Sequence, residues 1–218
     1  MNDKQLFDRM SETLYSAVIS DTLDELGYRN QVMRENINPL DPNWVVAGRA
    51  KTILSVDVHY LPADPYEKEI AAVDSVKPNE VVIGCTNESR QNGLWGELLS
   101  TASKMRGARG AIVDGLIRDT KKILELGFPV FATGTKPVDS QGRGLVIDYD
   151  IPVLCGGVLV HPGDIVFGDR DGIVVIPSAL ADEVFRRALD KATRENHTRN
   201  ELLEGRTLRE VYDKYGVL

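Results

Sequence analysis

The sequence is poor in the side chains that most often carry chemistry, with three histidines and two cysteines in 218 residues. His59, His161 and His197 are scattered, so no histidine is expected to act as a catalytic acid or base. Cys85 in "VVIGCTN" and Cys155 in "IPVLCGG" sit in apolar runs without a CxxC or a nearby histidine, which argues against a disulfide or a metal pair and predicts two buried free thiols. No apolar run approaches the ~18 uninterrupted residues of a membrane span. The amino-terminal segment lacks a basic start followed by an apolar stretch, so neither a secretory signal nor a membrane is expected and the location read from it is cytoplasmic. Basic blocks are missing too. Lys and Arg number 26 against 33 Asp and Glu, a net charge of -7, which offers a nucleic acid no electrostatic footprint. Repeats, low-complexity tracts and long linkers are also absent, and one domain over residues 1–218 is expected.

What the chain does contain is an ordinary globular mixture, 42% hydrophobic and 27% charged, sufficient for one substantial core. Leu6, Met10, Leu14, Ala17 and Val18 share one helical face, and a second short helix is expected from Ile19 to Leu26, closed by Gly27; amino-terminal helices thus cover about 3–27. From Trp44, "WVVAGRAKTILSV" is rich in β-branched residues and reads as a strand pair around Gly48. "EVVIGCTN" is a continuous apolar run and reads as a buried strand. Then come a helix in "GELLSTASKMRG", carried by Leu98, Ala102 and Met105 and stopped by Gly107, and a buried strand in "GAIVDG". A helix in "DTKKILELG", capped by Asp119 or Thr120, and a strand in "FPVFATG" complete the alternation.

Past Gly134 the sequence breaks into short β runs at Pro-Gly-Asp and Asp-Gly turns, the spacing of hairpins or a small barrel. From Ser178 a long helix sets Ala181, Val184, Phe185, Ala188, Leu189 and Ala192 on one stripe and turns polar at "TRENHTRN"; that polar end is either solvated or reaches a neighbouring subunit. A helical extension over about 179–218 closes an α/β fold with a central sheet and terminal helices.

Residues 93–120, "GLWGELLSTASKMRGARGAIVDGLIRDT", set Gly93 and Gly96 ahead of a helix whose first turn holds Glu97. After twenty intervening residues, Arg118 and Asp119 stand side by side where a buried strand gives way to a helix. Free N–H groups at a helix start, approached closely past glycine, receive a carboxylate or phosphate. In sheets with crossover helices, ligands collect at the carboxyl ends of strands. With "EVVIGCTN" and "GAIVDG" as neighbours, Glu97 and Asp119 can share one hard cation while Arg118 faces a carboxylate or a developing oxyanion. The same residues admit a plainer reading, in which Arg118 is a structural ion pair to Glu97 or Asp119 and the helix dipole alone favours a first-turn acid.

The ordered set of the acid, the Arg-Asp pair, the "GELL" helix start, "RGARGAIVDGLIRD" and the later "VHPGDIVFGDRDGIVVIP" resembles the regulator of ribonuclease activity A family, which includes the 4-hydroxy-4-methyl-2-oxoglutarate aldolases. The likeness runs roughly from Ser20 to Glu204. It implies a β/β/α swivelling-domain fold, a central sheet with flanking helices and a small β-barrel-like part, assembled as homotrimers or homohexamers with sites at subunit interfaces. It implies a lyase, a divalent-metal-dependent pyruvate aldolase acting on 4-hydroxy-2-oxo acids and decarboxylating oxaloacetate, with Mg2+ or Mn2+. By the same resemblance Asp119 binds the metal directly, Glu97 holds metal-bound water, and Arg118 contacts the pyruvyl part of the substrate. The N–H groups of Gly96, Glu97, Leu98 and Leu99 receive its carboxylate. A further acid, Glu195 or else Glu201, comes through water from the last helices of a neighbouring subunit. Glu97 is a departure, because the aldolases of this family typically carry aspartate there; the longer side chain keeps the charge but extends its reach, so the water shell and substrate preference can change.

Retro-aldol cleavage needs removal of the C4 hydroxyl proton and stabilisation of a pyruvate enolate, and oxaloacetate decarboxylation yields the same enolate. A cation on the 2-oxo and carboxylate oxygens, with an arginine on the oxyanion, serves both. The expected base is water or hydroxide held by the metal or the acids. A Schiff-base aldolase would use a lysine, for which Lys136 in "ATGTKPVD" is the candidate, although lysine before proline also reads as a loop residue. Arg143 in "SQGRGL" is either a distal substrate contact or a loop charge. The competing class is a non-catalytic protein that binds and inhibits a ribonuclease, which has no need of Glu97, Arg118 and Asp119 together. Methyl transfer from S-adenosylmethionine calls for a glycine-rich loop after the first strand and an acidic ribose ligand, and the sequence offers neither.

Overall fold

The computed structural model describes residues 2–217 and begins with two helices, α1 (Asp3–Thr13) and α2 (Ser16–Glu25). The expected continuous face through Val18 is interrupted, because Leu14 and Tyr15 are extended. The cause lies far along the chain: the Asp169 carboxylate accepts the Ser16 backbone N–H at 2.8 Å and the Ser16 hydroxyl at 2.7 Å, which fixes the start of α2. A two-residue β1 (Asn38–Pro39) precedes β2 (Val46–Asp57), one unbroken strand of 12 residues where a pair around Gly48 was expected. Gly48 serves space and not a turn: a Cβ there would meet the Asn79 carbonyl oxygen at 2.7 Å and Val81 Cγ2 at 2.8 Å.

The chain continues through α3 (Glu67–Asp74), β3 (Glu80–Cys85), β4 (Gly93–Trp95), α4 (Glu97–Met105), β5 (Gly110–Ile117), α5 (Thr120–Leu126) and β6 (Val130–Thr135). Then follow β7 (Gly144–Tyr149), β8 (Val153–Cys155), β9 (Val158–Val160), β10 (Ile165–Gly168), β11 (Ile173–Ile176), α6 (Ala181–Leu203) and α7 (Leu208–Tyr215). The main sheet has the order β1-β6-β5-β3-β2-β10-β11, with β4 added to β5 and β7 to β2. Strands β2, β3, β5 and β6 are parallel neighbours, and they are buried on both faces as their continuous apolar runs require. Along the other edge of β2, β10 pairs antiparallel with Val46–Arg49 and β7 with Ile53–Asp57. The result is the mixed α/β architecture expected, a curled half-barrel sheet with flanking helices.

Three apolar clusters hold these layers. Val81, Ile83, Ile112 and Phe131 meet Val153 and Val158 of the β8–β9 hairpin on one face, together with the two free, buried thiols Cys85 and Cys155. On the opposite face Val82, Ala111, Val113 and Val130 pack with Ala72, Val73 and Ile123 of the crossover helices. Phe7, Met10, Ile19 and Leu23 close over Phe167 and Val174, joined by Val184, Ala188 and Ala192 of the predicted α6 stripe.

Helix α4 departs from its predicted face: Leu98 and Met105 are 75% and 81% exposed, and Ser100 and Ser103 are buried instead. Small side chains let this helix lie close to the sheet. The Trp95 indole N–H donates to Ser100 Oγ at 2.8 Å, and that hydroxyl donates to the Gly96 carbonyl at 2.9 Å, so the start of α4 is locked to β4. No helix among the described residues is long and apolar enough to cross a membrane.

Candidate active site

Strands β4 and β5 are parallel, and the Arg118 N–H donates to the Trp95 carbonyl at 2.8 Å, so helices α4 and α5 begin side by side. Asp119 lies between β5 and α5 in the left-handed region, at φ 58° and ψ 30°, and its side chain does not cap its own helix. Such a conformation costs a non-glycine residue roughly 1–2 kcal/mol and collects at functional sites. The carboxylate is thereby turned toward α4, where Oδ2 accepts the Glu97 backbone N–H at 3.3 Å. Gly96 leaves the room: a Cβ there would stand 2.7 Å from Asp119 Oδ2 and 3.2 Å from Arg118 Cγ.

The structure therefore brings Gly96, Glu97, Leu98, Leu99, Arg118 and Asp119 to one place. The Glu97 side chain is folded onto its own helix, Oε1 accepting the Thr101 hydroxyl at 2.9 Å. Leu98 and Leu99 present first-turn N–H groups that no intrahelical carbonyl can take. Gly96, Leu98, Leu99, Arg118 and Asp119 line a cavity of about 390 Å³, and the Glu97 side chain does not.

Its second wall comes from elements that sequence reasoning missed, α3 and the loop after β6, and is lined by Tyr66, Glu69 and Asp139. Arg118 Nη2 lies 3.0 Å from Asp139 Oδ1, whereas its Nε is 3.8 Å from Asp119 Oδ2. The arginine is thus oriented chiefly by Asp139, a partner absent from both readings of the sequence. Tyr66 donates its hydroxyl to the other Asp139 oxygen. Accepting that charge-assisted bond holds the Tyr66 proton, and the phenol is pushed up to about 12. Burial raises Asp139, yet its carboxyl lies below the usual value because the Tyr66 hydroxyl, the Gln141 N–H and the Arg118 charge outweigh it. Glu69 is 8% exposed, and burial pushes its carboxyl up to about 7, with the Asp139 charge adding and Arg118 opposing.

Two signals could have found these residues. In α3 the buried positions are Glu69, Ala72 and Val73, followed by Val76, so an acid occupies an apolar stripe. Asp139 follows the carboxyl end of β6, the same topological position that drew attention to Arg118 after β5.

Other sequence candidates lie elsewhere. Lys136 Nζ donates to the Arg90 carbonyl at 2.7 Å, and Arg143 donates to the carbonyls of Asp139 and Gln141. His59 is exposed, His161 sits beside Asp164, and His197 stacks on Tyr215; none lines the cavity. Within this chain Glu195 accepts the Tyr15 hydroxyl, and Glu201 is held by Lys214 and Tyr215.

Among the described residues, no three His, Cys, Asp or Glu side chains converge as a metal cage. The donor set offered is Asp119, uncommitted to its own helix and given space by Gly96, with Glu97 adjoining it. One or two carboxylates suit a hard cation that keeps most of its waters, which is the habit of magnesium.

Residues 16–175 match the family model described as "RraA-like: Aldolase/RraA". A Halalkalibacterium halodurans protein named "Putative 4-hydroxy-4-methyl-2-oxoglutarate aldolase" is 31% identical over 179 residues, 82% of this chain and 80% of that protein. Protein DlpA of Legionella pneumophila is 28% identical over 92% of this chain, which spans only 32% of DlpA. The solved structure of Streptomyces coelicolor RraAS2, described as an unusual member of the RNase ES inhibitor RraA protein family, matches with a TM-score of 0.79 at 33% identity, over 91% of this chain and 97% of that one.

Proposed function

Because the chain belongs to the RraA-like Aldolase/RraA family, we propose that it is a pyruvate aldolase, a lyase that cleaves 4-hydroxy-2-oxo acids of the 4-hydroxy-4-methyl-2-oxoglutarate type and decarboxylates oxaloacetate, using Mg2+ or Mn2+. The observation that carries this reading is the junction of two strand ends, where Asp119 meets the Glu97 N–H and Arg118 stands beside it. The name of the Halalkalibacterium halodurans relative supports the aldolase class.

In this reading the first-turn N–H groups of Leu98 and Leu99, at the positive end of α4, receive the substrate carboxylate. Arg118 is held by Asp139 so that its guanidinium faces the 2-oxo oxygen, which becomes the enolate oxygen as the C3–C4 bond breaks. A preorganised donor of this kind favours the enolate over the bound ketone, and the same stabilisation serves loss of carbon dioxide from oxaloacetate. Leu94 and Leu99 line the cavity with apolar surface and strengthen these charge interactions. Asp119 would hold the cation directly and Glu97 through water, and when bound the cation would supply Lewis acidity. We place residues 1–218 in one aldolase-like domain working as a homotrimer or homohexamer, in which Glu195 or Glu201 reaches the site of an adjoining copy.

Pyruvate release coupled to lactate dehydrogenase, from 4-hydroxy-4-methyl-2-oxoglutarate and separately from oxaloacetate, with and without magnesium, tests the reading beside Asp119→Ala. Metal-dependent release lost in the variant supports it. Absence of release from both, in folded protein, favours the second class, a ribonuclease-binding protein, to which the description of RraAS2 and the net charge of -7 both lend weight.

A further inference from the structure

We propose that Glu69 is a catalytic acid and base of this site, giving a proton to C3 of the pyruvate enolate and removing one from C3 when pyruvate itself is bound. The inference rests on the aldolase reading for the enolate. It assigns the step which that reading leaves open, the conversion of the enolate to pyruvate.

The titratable side chains lining the cavity are Tyr66, Glu69, Arg118, Asp119 and Asp139, and neither histidine nor cysteine is among the lining residues. All but one are committed. Arg118 keeps its protons at any working pH and lies 3.0 Å from Asp139. Tyr66 donates to Asp139, which holds its proton and pushes the phenol up to about 12. Asp139 faces both of them and stays below the usual carboxylate value, so it has no proton to give. Asp119 accepts the Glu97 N–H and is the ligand that the aldolase reading reserves for the cation. Glu69 remains as the group free to carry a proton.

Its surroundings suit that task. The charged groups acting on Glu69 are Asp139, from the loop after β6, and Arg118, from the end of β5, with Tyr66 on its own helix and Asp119 lining the same cavity. Helix α4 and strand β7 pack on α3 and bring Leu99 and Val146 to it, with Ile53 and Leu94 alongside. Apolar neighbours disfavour the charged form and the Asp139 charge adds to them, while Arg118 opposes; the carboxyl is pushed up to about 7. An acid of that strength takes and gives a proton with similar ease near neutral pH, the match that general acid–base transfer requires. Arg118 faces the enolate oxygen in the aldolase reading and also acts on Glu69, so both lie within the field of one guanidinium.

The protons balance. In cleavage the C4 hydroxyl proton passes to water, the C3–C4 bond pair moves into the enolate, and the Glu69 O–H breaks as the C3–H bond forms. The carboxylate left behind takes a proton back from water, so one proton leaves the C4 oxygen and one arrives at C3. In decarboxylation the C3–C4 pair enters the enolate as carbon dioxide departs, and the same transfer to C3 follows.

Exchange of the pyruvate methyl protons in D2O, followed by proton NMR on the full chain with magnesium present, reads this step without any cleavage. Glu69→Gln is expected to slow exchange by about 100-fold, the usual contribution of a positioned acid or base. Oxaloacetate decarboxylation is expected to fall by less than about 10-fold in the same variant, because carbon dioxide leaves without a proton from the protein and water can protonate the released enol. Glu69→Asp, which keeps the carboxyl on a shorter stem, is expected to retain part of the exchange. The split between the two rates is read in both variants, so a folding defect in one leaves the other to decide. A merely structural role depresses exchange and decarboxylation together. That result, exchange at the wild-type rate in Glu69→Gln, or a wild type that releases pyruvate without exchanging its methyl protons overturns the assignment. Failure of the wild type to release pyruvate from either 4-hydroxy-4-methyl-2-oxoglutarate or oxaloacetate overturns the aldolase reading itself, and this inference with it.

Discussion

Asp119 Oδ2 accepts the backbone N–H of Glu97 at 3.3 Å, a bond between residues 22 positions apart that fastens the turn after β4 to the turn after β5. The contact exists only because residue 96 has no side chain. Gly96→Ala pushes a methyl group against the carboxylate, and the expected result is a folded protein with at least 10-fold weaker binding of Mn2+ or Mg2+ in a calorimetric titration. Unchanged affinity with an intact circular dichroism spectrum would separate Asp119 from the cation.

Arg118→Ala is expected to lower kcat/KM for pyruvate release by about 10²–10³, the usual loss when one preorganised donor to a developing oxyanion is removed. Near-normal turnover would take the guanidinium out of the mechanism and return it to a structural pairing with Asp139.

Chelation by EDTA is expected to abolish turnover, with recovery on adding magnesium, while borohydride in the presence of pyruvate leaves activity intact. Lys136 is tied to a backbone carbonyl and does not line the cavity, so reductive trapping on it is not expected. Mass spectrometry of the borohydride-treated protein checks this directly.

Local rules sufficed to put Glu97, Arg118 and Asp119 at adjoining strand ends, since a glycine before a helix and charges at a strand end are both written within one stretch of chain. Tyr66, Glu69 and Asp139 were not legible in that way. Each enters the cavity through the placement of α3 and the loop after β6, and their roles come from pairing with Arg118 and with one another. The same holds for the fold. The alternation of strands and helices from β3 to β6 follows from apolar runs and glycines. The break between α1 and α2 follows from Asp169, and the unbroken course of β2 from partners on both of its edges.

Glu69 ties stability to pH. Its carboxyl rises from 4.5 to about 7 on folding, so between those values the native state holds a proton that the unfolded chain releases. This stabilisation is complete below about pH 4.5 and is lost as pH climbs through about 7, with a span on the order of 3 kcal/mol. Urea unfolding of the wild type and Glu69→Gln at pH 5 and pH 8 checks it. The variant is expected to gain relative to the wild type at the higher pH.

Asp169→Ala is expected to destabilise the fold by about 1–2 kcal/mol, because the first turn of α2 loses both bonds that Ser16 makes to that carboxylate. The chemical midpoint in urea should fall with little change in slope, and activity in the folded fraction should persist.

The two partners along one edge of β2 arrive late. Val46–Arg49 wait for β10, whose residues follow every turn that builds the cavity. A ribosome therefore releases β3 to β6 while β2 still has open backbone donors and acceptors along that edge, a template on which a second nascent chain can pair. Productive synthesis then becomes a race between intramolecular closure by a distant hairpin and capture by a neighbour, and crowded polysomes tilt it toward capture.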